Sequence, residues 1–125
     1  MSKILVTGAN GFVGKILCKT LTQLGHELIE LTSGDGDITA ATTWEKIPAV
    51  NIVIHLAAKT FVPDSWKQPE LFLQTNTFGT VQALEYCRKH QARMVFISSY
   101  LYGNPETLPI PETAKIYTPN PLCAF

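Results

Sequence analysis

Ile4-Leu5-Val6-Thr7-Gly8-Ala9-Asn10-Gly11-Phe12-Val13-Gly14 decides how this chain folds, because an apolar run enters it and an amphipathic helical pattern leaves it. It reads as strand, tight turn and helix. Glycines at positions 8, 11 and 14 permit a left-handed turn, a close approach of backbone to a bound phosphate, and close packing of helix on strand. The helix N-terminus then offers unpaired N–H groups and a positive dipole end to a pyrophosphate. A glycine triplet alone is weak. Its context, a strand before, a helix after and a second strand signal within about 30 residues, supports a dinucleotide site.

Downstream, Phe12, Val13, Ile16, Leu17, Thr20, Leu21 and Leu24 recur at spacings of three and four, an apolar stripe facing a sheet. Gly25 ends that helix, and His26 reads as a turn residue near its last carbonyls rather than as a ligand. Glu27 to Leu31 is the second strand. At the end of such a strand an acid binds a free ribose hydroxyl, whereas an arginine accommodates a 2′-phosphate. Thr32-Ser33 stands there instead, and no Lys or Arg lies between Lys19 and Lys46. Thr32 is therefore a candidate cofactor contact, and the balance leans to NAD while leaving NADP open. Glu30 reads equally well as a ribose contact or as a solvent-facing strand residue.

Ser33-Gly34-Asp35-Gly36 is turn chemistry, after which Asp37-Ile38-Thr39 begins a short element and Thr39 caps a helix over Ala40 to Glu45, closed by Pro48. Asn51 to Ala58 has the unbroken apolar character of a strand buried on both faces. Its small tail, Ala57-Ala58, leaves room for a flat ligand at the carboxyl end, where open α/β sheets bind ligands. Pro63 and Pro69 bracket a loop carrying Ser65-Trp66, and one long helix is expected from Glu70 to His90 with Leu71, Thr75, Phe78, Val81, Ala83, Leu84 and Cys87 on its apolar side. Asn76 and Gly79 interrupt it, which predicts a close contact between this helix and backbone beside the ligand. Arg93 to Ile97 is a further strand stopping at Ser98-Ser99, and the proline-rich stretch from Tyr100 to Phe125 reads as loop.

Strands alternating with helices argue for an α/β, Rossmann-like, doubly wound parallel sheet. Right-handed crossovers give the strand order 3-2-1-4-5, with the ligand over the switch between the first and fourth strands. At 125 residues the chain is sized for one domain, residues 1–125. Ten basic residues balance ten acidic ones, so no net field points to nucleic acid or an anionic membrane. Met1-Ser2-Lys3 leaves no room for a signal peptide, no apolar run is long enough to span a bilayer, and the expectation is a soluble, cytoplasmic protein. Cys18, Cys87 and Cys123 are widely spaced, as reduced thiols are, and suggest neither a disulfide framework nor a metal site.

Taken in order, Thr7 to Gly14, Gly36-Asp37-Ile38-Thr39, His55-Leu56-Ala57-Ala58, Ser65-Trp66 through Pro69 to Asn76 and Gly79-Thr80, Ser98-Ser99 before Tyr102-Gly103, and Leu108-Pro109-Ile110-Pro111-Glu112 resemble a known family. It is the extended short-chain dehydrogenase/reductases, specifically the NAD(P)-dependent nucleotide-sugar epimerase/dehydratases. The resemblance implies that Gly8, Gly11, Phe12, Val13 and Gly14 surround the pyrophosphate, and that Asp37 and Ile38 hold the adenine. It places Leu56, Ala57, Ala58 and Lys59 along the adenosine and the bridge to the nicotinamide ribose, with Asn76 supporting the site from its helix. In such enzymes a serine past the fifth strand hydrogen-bonds the reacting hydroxyl, a tyrosinate takes its proton, and a lysine four residues later lowers the tyrosine pKa. Counting from the strand favours Ser99 as that serine; counting back from Tyr102-Gly103 favours Ser98.

The departure comes after Asn120-Pro121, where the family places its tyrosine and this sequence has Leu122-Cys123. Neither side chain can serve as the phenolate base. Tyr100, Tyr102 and Tyr117 have no lysine four residues on. The resemblance covers about half a family member, so the expectation is a dinucleotide-binding domain incomplete at its C-terminus, truncated before the last strands, without a substrate domain and inactive alone. An uncovered fifth strand would favour self-association through the sheet edge. Two other readings stay open: a non-catalytic dinucleotide-binding or regulatory module, and a reductase of a non-sugar carbonyl.

Overall fold

The computed structural model describes residues 1–98, 102, 105 and 107–117. Four strands, β1 (Lys3–Thr7), β2 (Glu27–Leu31), β3 (Ile52–His55) and β4 (Arg93–Phe96), form a parallel sheet in the order β2-β1-β3-β4. Against the expected 3-2-1-4-5 this is the 2-1-4-5 portion. The short element at Asp37 is a turn, not the third strand, because the Asp37 carboxylate takes the Thr39 N–H at 2.9 Å and the Thr39 hydroxyl at 2.9 Å and so curls the backbone on itself. That bond also occupies Thr39, and α2 (Ala41–Glu45) has Ala40 at its N-cap and no side-chain cap.

The sheet register aligns the functional edge. Thr7 pairs with Leu31 on one side and His55 on the other, and His55 pairs with Phe96. All four strands thus end on one line. Because β1 is followed by β2 on one flank and by β3 on the other, the crevice at its carboxyl end is the topological switch point of an open α/β sheet.

Alternate residues of the strands build a core on each face. Ile4 and Val6 meet Cys18, Leu17 and Leu21 of α1 (Phe12–Gln23). Leu5 and Val53 meet Trp44, Ala83, Tyr86 and Cys87 from α2 and α5 (Gly79–His90). Polar ends in this second core are satisfied: Trp44 donates to the Ile38 carbonyl at 2.8 Å and Tyr86 to the Pro48 carbonyl at 2.7 Å. Cys18 and Cys87 are buried free thiols, and burial pushes both thiol pKa values up.

Both helix faces differ from the expected stripes, for one reason. Gly14 brings α1 against the turn and Gly79 brings α5 against Ile38, and these contacts set each helix's rotation. The inward edge of α1 is Gly14-Leu17-Cys18-Leu21, leaving Phe12, Val13, Ile16 and Leu24 exposed. That of α5 is Gly79-Ala83-Tyr86-Cys87, leaving Val81 and Leu84 exposed, as Phe78 is just before it. The expected loop around Ser65-Trp66 is a helix, α3 (Val62–Lys67), with Pro63 in its first turn, where a missing N–H costs nothing. The helix expected from Glu70 to His90 runs without a break from Pro69 to His90, as α4 (Pro69–Phe72), a π-helical turn (Leu73–Phe78) and α5, with helical backbone at both junctions. Among the described residues β4 pairs with β3 alone, and its Val95 and Phe96 are exposed.

Candidate functional site

At the carboxyl edge of β1, the turn from Gly8 to Gly11 and the start of α1 assign a separate task to each glycine. Gly8 has φ +68°, and a Cβ there would lie 2.9 Å from the Ala57 backbone nitrogen. A Cβ on Gly14 would lie 2.3 Å from the Gly8 carbonyl oxygen and 2.6 Å from that of Ala9. Gly11 is less constrained, its nearest obstacle being the Gly8 oxygen at 3.1 Å. Gly8 therefore makes the left-handed turn and admits the backbone just after β3, Gly14 admits the helix, and Gly11 is the least crowded of the three. No side chain caps α1, whose N-cap is Gly11, so its first-turn N–H groups face outward for an anion.

Beside this turn lies an open cleft of about 720 Å3. It is lined by Gly8 and Gly11 of the turn, by Thr32, Asp35, Asp37 and Ile38 from the segment after β2, and by Leu56, Ala57, Ala58 and Lys59 from the segment after β3. The structure thus brings together nine of the sequence candidates, Gly8, Gly11, Thr32, Asp37, Ile38, Leu56, Ala57, Ala58 and Lys59. Phe12 and Val13 stand at its rim in the first turn of α1, with exposed side chains, and Gly14 lies packed behind. Ser98 is exposed two residues beyond the carboxyl end of β4. Ser99, the other candidate, lies outside the described residues, as do Leu122 and Cys123.

Behind the wall runs a buried hydrogen-bond chain whose direction follows from counting protons. The N–H groups of Leu56 and Ala57 each donate to Thr7 Oγ1 at 3.1 Å. The Thr7 hydroxyl therefore spends its own proton on His55 Nδ1, 2.9 Å away. With Nδ1 accepting, the neutral ring carries its proton on Nε2, 3.3 Å from Thr80 Oγ1. Thr80 in turn donates to the Asn76 carbonyl at 2.6 Å. Burial of His55 drives its pKa down to about 4, which keeps the ring neutral and the direction fixed. Strand β3 ends at His55: the Leu56 N–H is shared between the Thr7 carbonyl at 3.3 Å and the Thr7 hydroxyl, and the Ala57 N–H goes to the hydroxyl.

Asn76 closes the chain onto the cleft. Its Oδ1 accepts the Lys59 N–H at 2.8 Å and its Nδ2 donates to the Lys59 carbonyl at 3.0 Å, a two-point clasp of backbone like that of a strand partner. The expected helix-to-backbone contact is therefore made by Asn76, while Gly79 serves a side chain, Ile38 Cδ1 lying 2.6 Å from where a Cβ would stand. The π-turn that carries Asn76 is the local irregularity that aims it. We expect Asn76→Ala to cost about 1–2 kcal/mol in stability, since two backbone groups lose their partner. Amide exchange at Lys59 should accelerate far more than at β1; unchanged protection there would count against the clasp.

Sequence reasoning passed over Asp35. It read as a turn residue, yet its Oδ2 accepts the Thr32 N–H at 2.8 Å and the Thr32 hydroxyl at 2.6 Å, so its carboxylate sits on the cleft wall directly after β2. Those bonds hold the carboxyl below its usual range. Glu30 does not line the cleft; its charge acts on the Cys18 thiol on the α1 side. His26, just past α1, accepts the Ser2 N–H on Nδ1 at 3.3 Å and ties the N-terminus to the turn.

The sequence matches the NAD dependent epimerase/dehydratase family over residues 4–124. A putative UDP-glucose 4-epimerase of Methanocaldococcus jannaschii is 34% identical over 98% of this chain and 46% of its own length. Among solved structures, the UDP-glucose 4-epimerase of Bifidobacterium longum in complex with NAD+ and UDP superposes with a TM-score of 0.90 at 25% identity, covering 98% of this chain and 45% of that one. The RMD protein of Pseudomonas aeruginosa complexed with NADPH superposes with a TM-score of 0.84 at 29% identity, covering 99% and 45%. The chain spans less than half the length of these relatives.

Proposed function

Because the chain belongs to the NAD dependent epimerase/dehydratase family, we propose that its cleft binds the dinucleotide of a nucleotide-sugar epimerase or dehydratase. One observation carries the reading: a tightly packed glycine turn, whose least crowded member is Gly11, lines a cleft together with the small residues Ala57 and Ala58. The fit to a dinucleotide is geometric. The α1 N-terminus and Gly11 would take the pyrophosphate, with the N–H groups of Phe12, Val13 and Gly14 turned to it. Asp37 and Ile38 would bound the adenine, Thr32 the ribose, and Leu56 to Lys59 the path toward the nicotinamide, with Asn76 holding that path straight. A flat, anionic, roughly nucleotide-sized ligand suits a cleft of about 720 Å3.

When bound, the nicotinamide supplies the hydride acceptor. Of the residues that would act on the sugar hydroxyl, Ser98 or Ser99 contributes a hydrogen bond at the end of β4. These 125 residues contain no tyrosine followed four positions later by lysine, so a phenolate base with its cationic neighbour is not supplied from within them. The chain alone therefore binds cofactor without turning over sugar. Calorimetric titration with NAD is expected to show one site. Incubation with NAD and UDP- or dTDP-hexoses is expected to yield neither epimer nor keto-sugar. Clear turnover would overturn the second statement, and absence of binding the first.

A further inference from the structure

We propose that His55 is a positioning residue for this cleft: its buried ring links the two side chains that hold the lining residues 57–59, and so governs how tightly a dinucleotide binds. The inference rests on the cofactor reading above and goes past it, to a residue that does not itself line the cleft. Past Leu56 the lining has little of its own to hold it. Among the described residues, Ala57, Ala58 and Lys59 make no backbone-to-backbone hydrogen bond. Their backbone is anchored by side chains instead: Thr7 Oγ1 takes the Ala57 N–H at 3.1 Å, and Asn76 clasps both the N–H and the carbonyl of Lys59.

His55 reaches both anchors. Its Nδ1 takes the Thr7 hydroxyl proton, and its Nε2–H meets the Thr80 hydroxyl, which itself donates to the Asn76 carbonyl. Thr7 precedes Gly8, and a Cβ on Gly8 would lie 2.9 Å from the Ala57 nitrogen, so lining and glycine turn are in contact and a shift in one is felt by the other. Thr7 and His55 are 0% and 4% exposed, and among the described residues no buried side-chain nitrogen or oxygen lacks a partner. Removing the ring therefore strands the Thr7 hydroxyl proton, and a buried donor left alone has to turn to another acceptor. That turn re-aims the oxygen lone pairs that hold Leu56 and Ala57. A lining that no longer keeps one position is competent for the ligand only part of the time, which lowers the apparent affinity by that fraction.

The test is NAD binding by the unaltered chain and by three variants at neutral pH, each at a temperature where unfolding curves show it folded. His55→Phe, which fills the space but neither accepts nor donates, is expected to bind NAD about tenfold more weakly, the scale of one stranded buried donor. Asparagine places an acceptor near the position of Nδ1, and glutamine places an amide near that of Nε2. His55→Asn should therefore recover most of the lost affinity and His55→Gln less, an order that filling space alone does not produce. Unchanged affinity in His55→Phe, or equal losses in all three variants, overturns the inference and leaves the cofactor reading intact. Failure of the unaltered chain to bind overturns both. If the variants misfold, the unaltered chain still decides. Coupling is reciprocal, so saturating NAD should shift the ring nitrogen resonances of His55 and leave those of His90, at the far end of α5, in place. A His55 ring that does not respond overturns the inference.

Discussion

Gly14→Ala is expected to destabilise the chain by about 3 kcal/mol, the upper range for forcing atoms into filled space, and to lower the thermal midpoint by about 10 °C. The new Cβ would lie 2.3 Å from the Gly8 oxygen and 2.6 Å from the Ala9 oxygen, both backbone, so no side chain can rotate aside. Either α1 lifts away from β1 or the turn opens. Each response uncovers Cys18 and Val6, which are buried beneath that helix. It also displaces the first-turn N–H groups, so dinucleotide affinity should fall beyond what lost stability explains. Gly25→Ala is the control: φ there is +82°, yet nothing lies within 4 Å, so only the cost of a left-handed alanine remains, about 1 kcal/mol. Equal effects of the two substitutions in urea unfolding would refute the packing argument.

Stability should also fall as pH drops from about 6.5 to about 4, with His55 contributing about 3 kcal/mol to the loss. The sign follows from its lowered pKa. Well above pH 6.5 the ring is neutral in both states and contributes no pH dependence. Below its ordinary pKa of 6.5 the unfolded chain takes up a proton that the folded one refuses, and the gap widens until the folded ring protonates near pH 4. A protonated Nδ1 could no longer accept from Thr7, whose oxygen already receives the Leu56 and Ala57 amides. Urea midpoints across this range, for the chain and for His55→Asn, separate the ring from the carboxylates. The difference between the two proteins should shrink toward acid pH, and parallel curves would argue against the assignment. An NMR titration of the His55 ring reads the same quantity directly: a midpoint near 6.5 rather than 4 would contradict it.

Some of this was legible in residues alone because local signals agreed. Glu27–Leu31 emerges at its expected bounds, and the strand-turn-helix at Gly8 to Gly14 stands where the glycines put it. Pro63 misled, since proline is as compatible with a helix start as with a loop, and it stands in the first turn of a short helix here. Helix faces misled where apolar residues occupy both sides: Val81 and Ala83 are alike in pattern, but one is exposed and the other wholly buried. In the cleft, the glycines and Ala57-Ala58 could be found by motif. Asp35 could not, because its place on the lining comes from a tight turn that folds it back onto Thr32.

What the sequence determined by itself is the alternation of strand and helix and the cradle at the end of β1, since both depend on short-range period and on glycine's freedom at φ +68°. What the tertiary structure alone decided is which polar groups meet across long separations. Thr7 reaches His55, His55 reaches Thr80, and Asn76 clasps Lys59, partners separated by 48, 25 and 17 positions. No local preference encodes those meetings. They follow from parallel register, which sets Thr7 opposite both Leu31 and His55. They are then enforced by burial, because a polar group withdrawn from water must find its partner inside the fold.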